Sequence, residues 1–175
     1  MGLKVLSICG GLETGLLALK ELGIPIEEYH TYEIFKPAIE LSKKHFPEVQ
    51  HHGNVIGADF SQYKSFDLVI AGTCCQSLSK VRQENKEICS GLKGKSGIFF
   101  EYARAIHEIN PKWFMLENVV PKQKADQDTI TENLGGQTLY LSTVLYFLHR
   151  KGNVCIGRIF LFCHCQNLIP LFCKI

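Results

Sequence analysis

Apolar residues occur along this chain in two alternating patterns, short unbroken runs and helically spaced sets, and their order predicts the fold. Residues 3–8 form a leucine-rich, β-branched run that stops at Cys9-Gly10-Gly11. Leu12, Leu16, Leu19 and Leu22 then recur at helical spacing up to Gly23, a natural C-terminal stop. A second run at residues 29–32 leads to Glu33, an amphipathic helix is expected over 35–46, and a third short strand over 51–55 ends in Gly53-Asn54-Val55. The fourth strand is the run Leu68, Val69, Ile70, Ala71, cut off by Gly72 and Thr73. A helix over 96–109 carries Ile98, Phe99, Tyr102, Ala105, Ile106 and Ile109 on one face and is closed by Pro111, before a fifth strand at 113–116. Buried strands alternating with amphipathic helices predict an α/β fold: a doubly wound, mostly parallel sheet with helices on both faces.

In such a sheet the strands end at one edge, and ligands bind there. The fourth strand runs into GTCCQSLS, which sets Cys75 just beyond that edge, where a nucleophile is expected. The fifth delivers Glu117 and Asn118, so two strand ends converge on one ligand. The first ends in a glycine turn that lets backbone approach a ligand, and the second delivers Glu33, an acceptor for ribose hydroxyls. Each has a plainer alternative: a tight turn at Gly10-Gly11, a helix-capping role for Glu33, a loop-fixing carboxylate at Glu117. His51 and His52 are adjacent on a strand and should point to opposite faces, so surface histidines are the better reading than a metal site.

Composition narrows the class. At 175 residues the chain is one domain's worth, 46% hydrophobic, with enough apolar surface for an ordinary core. A net charge of +2 does not announce nucleic-acid binding. No apolar run has the length of a membrane span and MGLKVLS has no signal-peptide core, so a soluble chain without a membrane partner, in an intracellular setting, is expected. The eight cysteines lack the spacing of a disulfide framework and are expected as thiols. Residues 80–95 are polar and lysine-rich, as a lid over a DNA backbone or a merely solubilising loop would be.

The loop GTCCQSLS resembles the G-S-P-C-Q-x-L-S loop of the DNA cytosine-5 methyltransferases, and LSICGGLETG, YEI, GNV and LENV flank it in that family's order. The likeness is to phage-type members and, more distantly, the animal de novo enzymes, and it spans roughly residues 3–143. It implies a Rossmann-like methyltransferase fold, S-adenosyl-L-methionine as methyl donor, and double-stranded DNA with a flipped cytosine as acceptor; no protein partner is inferred. By the resemblance the catalytic residues are Cys75, Glu117 and Asn118. The cofactor-binding residues are Ile8, Cys9, Gly11, Thr14, Glu33, Ile34, Asn54 and Val55, and no metal is implied. In nature such a protein works in restriction-modification or phage DNA modification, in a bacterial cytoplasm, or in a eukaryotic nucleus. Asn54 stands where the family carries Asp, and Cys74 where it carries the Pro before the nucleophile.

Beyond residue 143 the pattern stops. The family's Q-x-R-x-R and aromatic-Trp-Thr-Asn-Ile are absent, and four of the eight cysteines crowd the last 21 residues. Synonymous codons exist for which residues 145–160, read from their third base, spell VLSAQKRKRLYWTNI, so a frame slip would account for the change. The expected division is therefore residues 1–143 as the N-terminal part of a catalytic domain and 144–175 as an aberrant, out-of-frame tail, with no target-recognition domain. On this reading the sheet stays unfinished, residues 146–175 lack a stable place, and the chain is an inactive fragment. The alternatives are a catalytically dead cofactor- or DNA-binding remnant and, more remotely, a redox or metal-binding protein using Cys74-Cys75 or the CHC at 163–165.

Overall fold

The computed structural model describes residues 2–75, 77–78, 91–119, 121 and 123–135, and the backbone of 139–148 and 154–163. In chain order the elements are β1 (Leu3–Ile8), α1 (Thr14–Glu21), β2 (Ile26–Tyr32), α2 (Lys36–His45), β3 (Gln50–His51), β4 (Leu68–Gly72), α3 (Phe99–Ile109), β5 (Trp113–Val119), α4 (Lys124–Asn133), β6 (Leu139–Leu148) and β7 (Val154–Cys163). They form one sheet in the order β3-β2-β1-β4-β5-β7-β6. The first five strands are parallel, and β7 runs antiparallel to both β5 and β6. This is the expected doubly wound sheet.

Burial follows position in the sheet. In β1 the last four residues are all buried, as are the first four of β4, because these central strands are covered on both faces. Leu6, Ile8, Val69, Ala71 and Leu116 pack with Tyr102, Ala105 and Ile106 of α3, whereas Val5, Tyr29, Leu68 and Ile70 pack with Leu16 and Leu19 of α1. The two cores lie on opposite sides of the sheet and fix the strand ends between them. At about 1.5–3 kcal/mol for each fully buried aliphatic side chain, these contacts dominate the stability of the edge that carries the chemistry.

Several boundaries differ from the sequence reading. β2 starts at Ile26, three residues early, because Lys4 pairs with Glu27 and Glu28 and makes their place in the strand tolerable. β3 is only two residues long: Gly53 turns to φ 78°, and Asn54 falls in a loop. α1 begins at Thr14 because Glu13 has left-handed backbone, which leaves Leu12 half exposed. After β5 the polar stretch 124–133 forms α4. A Lys124–Asp128 pair one turn apart and the burial of Ile130 and Leu134 hold that helix in place.

The largest correction concerns the sheet beyond β5. Residues 146–148 and 154–163, expected to find no place, continue it as part of the β6–β7 hairpin, whose register pairs Leu116 with Phe162 and Glu117 with Leu161. The physical reason is composition: LYLSTVLYFL and VCIGRIFLFC are runs of strong strand formers beside the open ladder of β5. Residues 80–90 of the basic loop, and the side chains of Cys155, Cys163, Cys165 and Cys173, lie outside the described residues. No helix among the described residues is long and apolar enough to cross a membrane.

Candidate active site

The chain runs outward from β1 to β2 and β3, then returns to place β4 on the other side of β1. The point where strand order reverses therefore lies between β1 and β4, and parallel sheets bind ligands outside the carboxyl ends of such strands. Ile8 pairs with Ala71 across this point, which sets the turn at Cys9 beside the loop at Gly72 and Thr73.

On the β1–β2 side the organising group is Glu33. Its Oε2 accepts the Gly11 N–H at 2.9 Å, and its Oε1 accepts the N–H groups of Ile34 and Phe35, both at 2.8 Å. A carboxylate offers about four acceptor positions, so three are filled and about one remains for a ligand. Gly11 has φ 58° and nothing within 4 Å of where a Cβ would stand, which leaves an open cradle over the turn. Ile34 and Ile56, 69% and 66% exposed, present apolar surface beyond β2 and β3. Thr14 is exposed at the start of α1.

Other residues expected here play narrower parts. Ile8 and Val55 are buried in the core, so only their backbones are available to a ligand. The Asn54 side-chain carbonyl accepts the Ile56 N–H at 3.0 Å and closes its own turn. The Cys9 thiol is pushed up to about 11, first by burial, then by Glu33 and Cys74, so at neutral pH it is a poor nucleophile and a poor redox thiol.

On the β4–β5 side the register sets Gly72 opposite Glu117, and a Cβ on Gly72 would lie 3.6 Å from Glu117 Oε2. The Glu117 carboxyl thus lies in van der Waals reach of the end of β4. Glu117 is half-buried, and burial raises its pKa, so it keeps a proton to higher pH than an ordinary glutamate. Asn118 is buried and faces the other way. Its Nδ2 donates to Thr73 Oγ1 at 2.7 Å and to the Thr73 carbonyl at 3.2 Å, while its Oδ1 accepts the Val119 N–H. It thus ties the end of β5 to the loop just before Cys74 and Cys75. Beyond Thr73 the loop is held by a Leu78 N–H to Cys75 carbonyl bond and by a Ser77 N–H donated to Ser96 Oγ ahead of α3. Cys75 is half-buried on this anchored turn.

The sequence reading passed over Glu13. It is fully buried beneath the Gly10 turn, accepts a hydrogen bond from the Tyr29 hydroxyl at 3.0 Å, and has backbone at φ 57°. The available signal was a glutamate one position before a helix of apolar leucines, a place where a carboxylate ordinarily caps the helix; here it makes no such cap. His51 and His52 do point apart. His51 meets Ser42 of α2, and His52 stacks on His30 with their ring nitrogens 3.0 Å apart. Among the described residues no group of three ligating side chains could hold a metal ion. A groove of about 200 Å3 between Leu16, Lys20, Ile26 and Glu48 lies at the start of β2, the wrong end of the strands for this chemistry.

Known proteins are similar to this chain in sequence and in fold. The type II methyltransferase M.NgoBV of Neisseria gonorrhoeae is 28% identical over 119 residues, 67% of this chain and 27% of that protein. The orphan methyltransferase M.SPRI of Bacillus phage SPR is 30% identical over 67% of this chain and 26% of its own length. Among solved structures, a DNA modification methyltransferase encoded within an E. coli prophage superposes with a TM-score of 0.66 at 18% identity, covering 95% of this chain and 48% of that one. Dnmt2 methyltransferase of S. pombe superposes at 0.64, with 16% identity and coverage of 95% and 50%. The chain spans about a quarter of the length of these curated relatives and about half of the solved chains. The family model of C-5 cytosine-specific DNA methylases matches residues 3–140, and the chain belongs to that family.

Proposed function

We propose that this chain holds the cofactor site and the nucleophile for methylation of cytosine at carbon 5 in double-stranded DNA. The observation that carries the reading is the pairing of Gly72 with Glu117, which puts a half-buried carboxyl and the Cys75 turn at neighbouring strand ends beside the reversal of strand order. The open turn at Gly11, the remaining acceptor position on Glu33 and the apolar faces of Ile34 and Ile56 fit a nucleoside cofactor, with Thr14 and the backbones of Ile8, Cys9 and Val55 around it. S-adenosyl-L-methionine, when bound, supplies an electrophilic methyl group.

Carbon 5 of cytosine is a weak nucleophile, and the residues of the β4–β5 side remedy that. The base is flipped out of the duplex. Cys75, as thiolate, adds to carbon 6, forming the sulfur–carbon bond, while Glu117 gives its proton to ring nitrogen 3 and so offsets the charge that develops there. Electron density moves to carbon 5, which takes the methyl group. Water takes the carbon 5 proton, the nitrogen 3 proton returns to Glu117, and the electron pair left at carbon 5 re-forms the 5,6 double bond as Cys75 departs as thiolate. Asn118 holds the Cys75 loop against β5 and acts through position, not by contact with the base.

A 5-fluorocytosine duplex tests this, because no proton can leave carbon 5 and the adduct persists. With cofactor present, the wild-type chain and Cys74→Ser should form a complex stable to denaturant, and Cys75→Ser none. A complex that survives Cys75→Ser and is lost in Cys74→Ser contradicts the assignment. Cofactor binding without any complex would favour the second reading, a remnant that binds cofactor but does no chemistry; the non-proline Cys74 before the nucleophile is the observation that supports it.

A further inference from the structure

Three features of Glu13 are unusual together. It is a non-glycine residue in left-handed backbone, at φ 57°, which such a side chain adopts only when the surroundings impose it. Its side chain turns into the protein and is 0% exposed. And its carboxyl lies where a side chain on Gly10 would be: a Cβ there would stand 2.4 Å from both carboxyl oxygens. The backbone closes the same unit, since the Glu13 N–H donates to the Gly10 carbonyl at 2.9 Å and the Glu13 carbonyl accepts the Leu17 N–H of α1.

We propose that Glu13 is a positioning residue for the cofactor site: its buried carboxyl fills the space beneath Gly10 and holds the turn of residues 9–11 in the shape that aims the Gly11 N–H at Glu33. The inference rests on reading Gly11 and Glu33 as cofactor contacts. Ser7 lies on β1, and Tyr29 and Thr31 on β2; Tyr29 donates to Oε2. The Ser7 and Thr31 hydroxyls are close enough to interact electrostatically, yet Oε1 has no hydrogen-bond partner among the described residues. Glu33 is the charged group that faces it. Burial, the largest influence, and Glu33 both favour the neutral carboxyl, against the three hydroxyls. As pH rises through the raised pKa of Glu13, a charge forms that burial and Glu33 oppose, and the carboxyl's hold on Gly10 and Gly11 should loosen.

The test combines a mutant cycle on the cofactor-free protein with cofactor titration. Glu13→Ala keeps a residue with the same backbone preference and removes only the carboxyl. Gly10→Ala should be strongly destabilised in urea, and Gly10→Ala/Glu13→Ala should recover most of that loss, because the added methyl then occupies the vacated space. Calorimetry with S-adenosylmethionine should show Glu13→Ala about tenfold weaker than wild type and Glu13→Gln within about twofold of it at low pH. As pH rises, the wild-type affinity should fall while that of Glu13→Gln stays level. Strictly additive effects of the two substitutions, or wild-type affinity and pH dependence in both Glu13 variants, would overturn the proposal. If no variant binds S-adenosylmethionine, the functional reading fails, and the cycle alone still decides whether the carboxyl supports the turn.

Discussion

The two sides of the strand-order reversal solve the same problem differently. Each must lock a loop that leaves one strand onto the end of its neighbour. Between β1 and β2, Glu33 does this itself, with three of about four acceptor positions spent on backbone N–H groups. Between β4 and β5 the work is divided: Asn118 ties the loop through Thr73, and on the proposed function the half-buried Glu117 carboxyl serves the base. A cofactor needs a preformed cradle and tolerates a shared carboxylate. Proton transfer to a base needs a carboxyl whose pKa is set by burial and not by donors that would stabilise its charge.

The divided side should break hardest at Asn118. Asn118→Asp replaces the donor to Thr73 by an acceptor and buries a charge, so unfolding in urea should show a loss of about 3 kcal/mol or more, against about 1–3 for Asn118→Ala. Equal, small losses would mean that the loop is held elsewhere. Next in size is Glu33→Ala, which frees three N–H groups at a half-exposed site and should weaken S-adenosylmethionine binding at least severalfold. Glu33→Gln keeps one acceptor and should lie between. If calorimetry finds Glu33→Ala equal to wild type, Glu33 leaves the cofactor site.

A smaller effect separates the two carboxylates by pH. The folded-state pKa of Glu117 is raised, so its proton is present at low pH and is lost as pH rises through that value. The stabilisation of the folded state by the uncharged group fades in the same direction. Adduct formation with 5-fluorocytosine DNA should decline over that rise; Glu117→Gln, with no proton to lose, should lack the decline. The smallest effect lies at the sheet edge. Burial lowers the pKa of His30 and of His52, so their contribution to stability is present above their ordinary value and is lost as pH falls through the lowered one. His52→Phe, which keeps a ring over His30, should flatten the acid limb of a urea stability profile.

What the sequence revealed follows the same division. The parallel core was legible because Leu3–Ile8 and Leu68–Ala71 are unbroken apolar runs with turn residues after them, and period and punctuation are local signals. The positions of Cys75, Glu117 and Glu33 followed from strand ends. Asn118 was read as catalytic beside Glu117, yet alternation along β5 turns successive side chains to opposite faces and sends it to Thr73, 45 residues away in sequence; such pairing leaves no local trace. Glu13 was missed for a related reason, since its left-handed backbone and its fit under Gly10 arise only once β2 brings Tyr29 alongside. α4 left little trace in the sequence because it is polar, and of its residues and C-cap only Ile130 and Leu134 are well buried. The hairpin was discounted because its motif differs from the family's, but strand formation needs apolar, β-favouring residues and an open ladder, not a motif.

The most direct measurement sets two variants side by side, Glu33→Ala and Asn118→Ala, each assayed for S-adenosylmethionine affinity and for Cys75-dependent adduct with 5-fluorocytosine DNA at saturating cofactor. The account predicts a crossed result. Glu33→Ala loses cofactor affinity and keeps adduct formation once saturated, whereas Asn118→Ala keeps affinity within about twofold and loses about a hundredfold in adduct rate, the scale expected for a displaced nucleophile. If Asn118→Ala weakens cofactor binding as much as Glu33→Ala does, the two sides are not separate, and the division of labour between the strand ends is wrong.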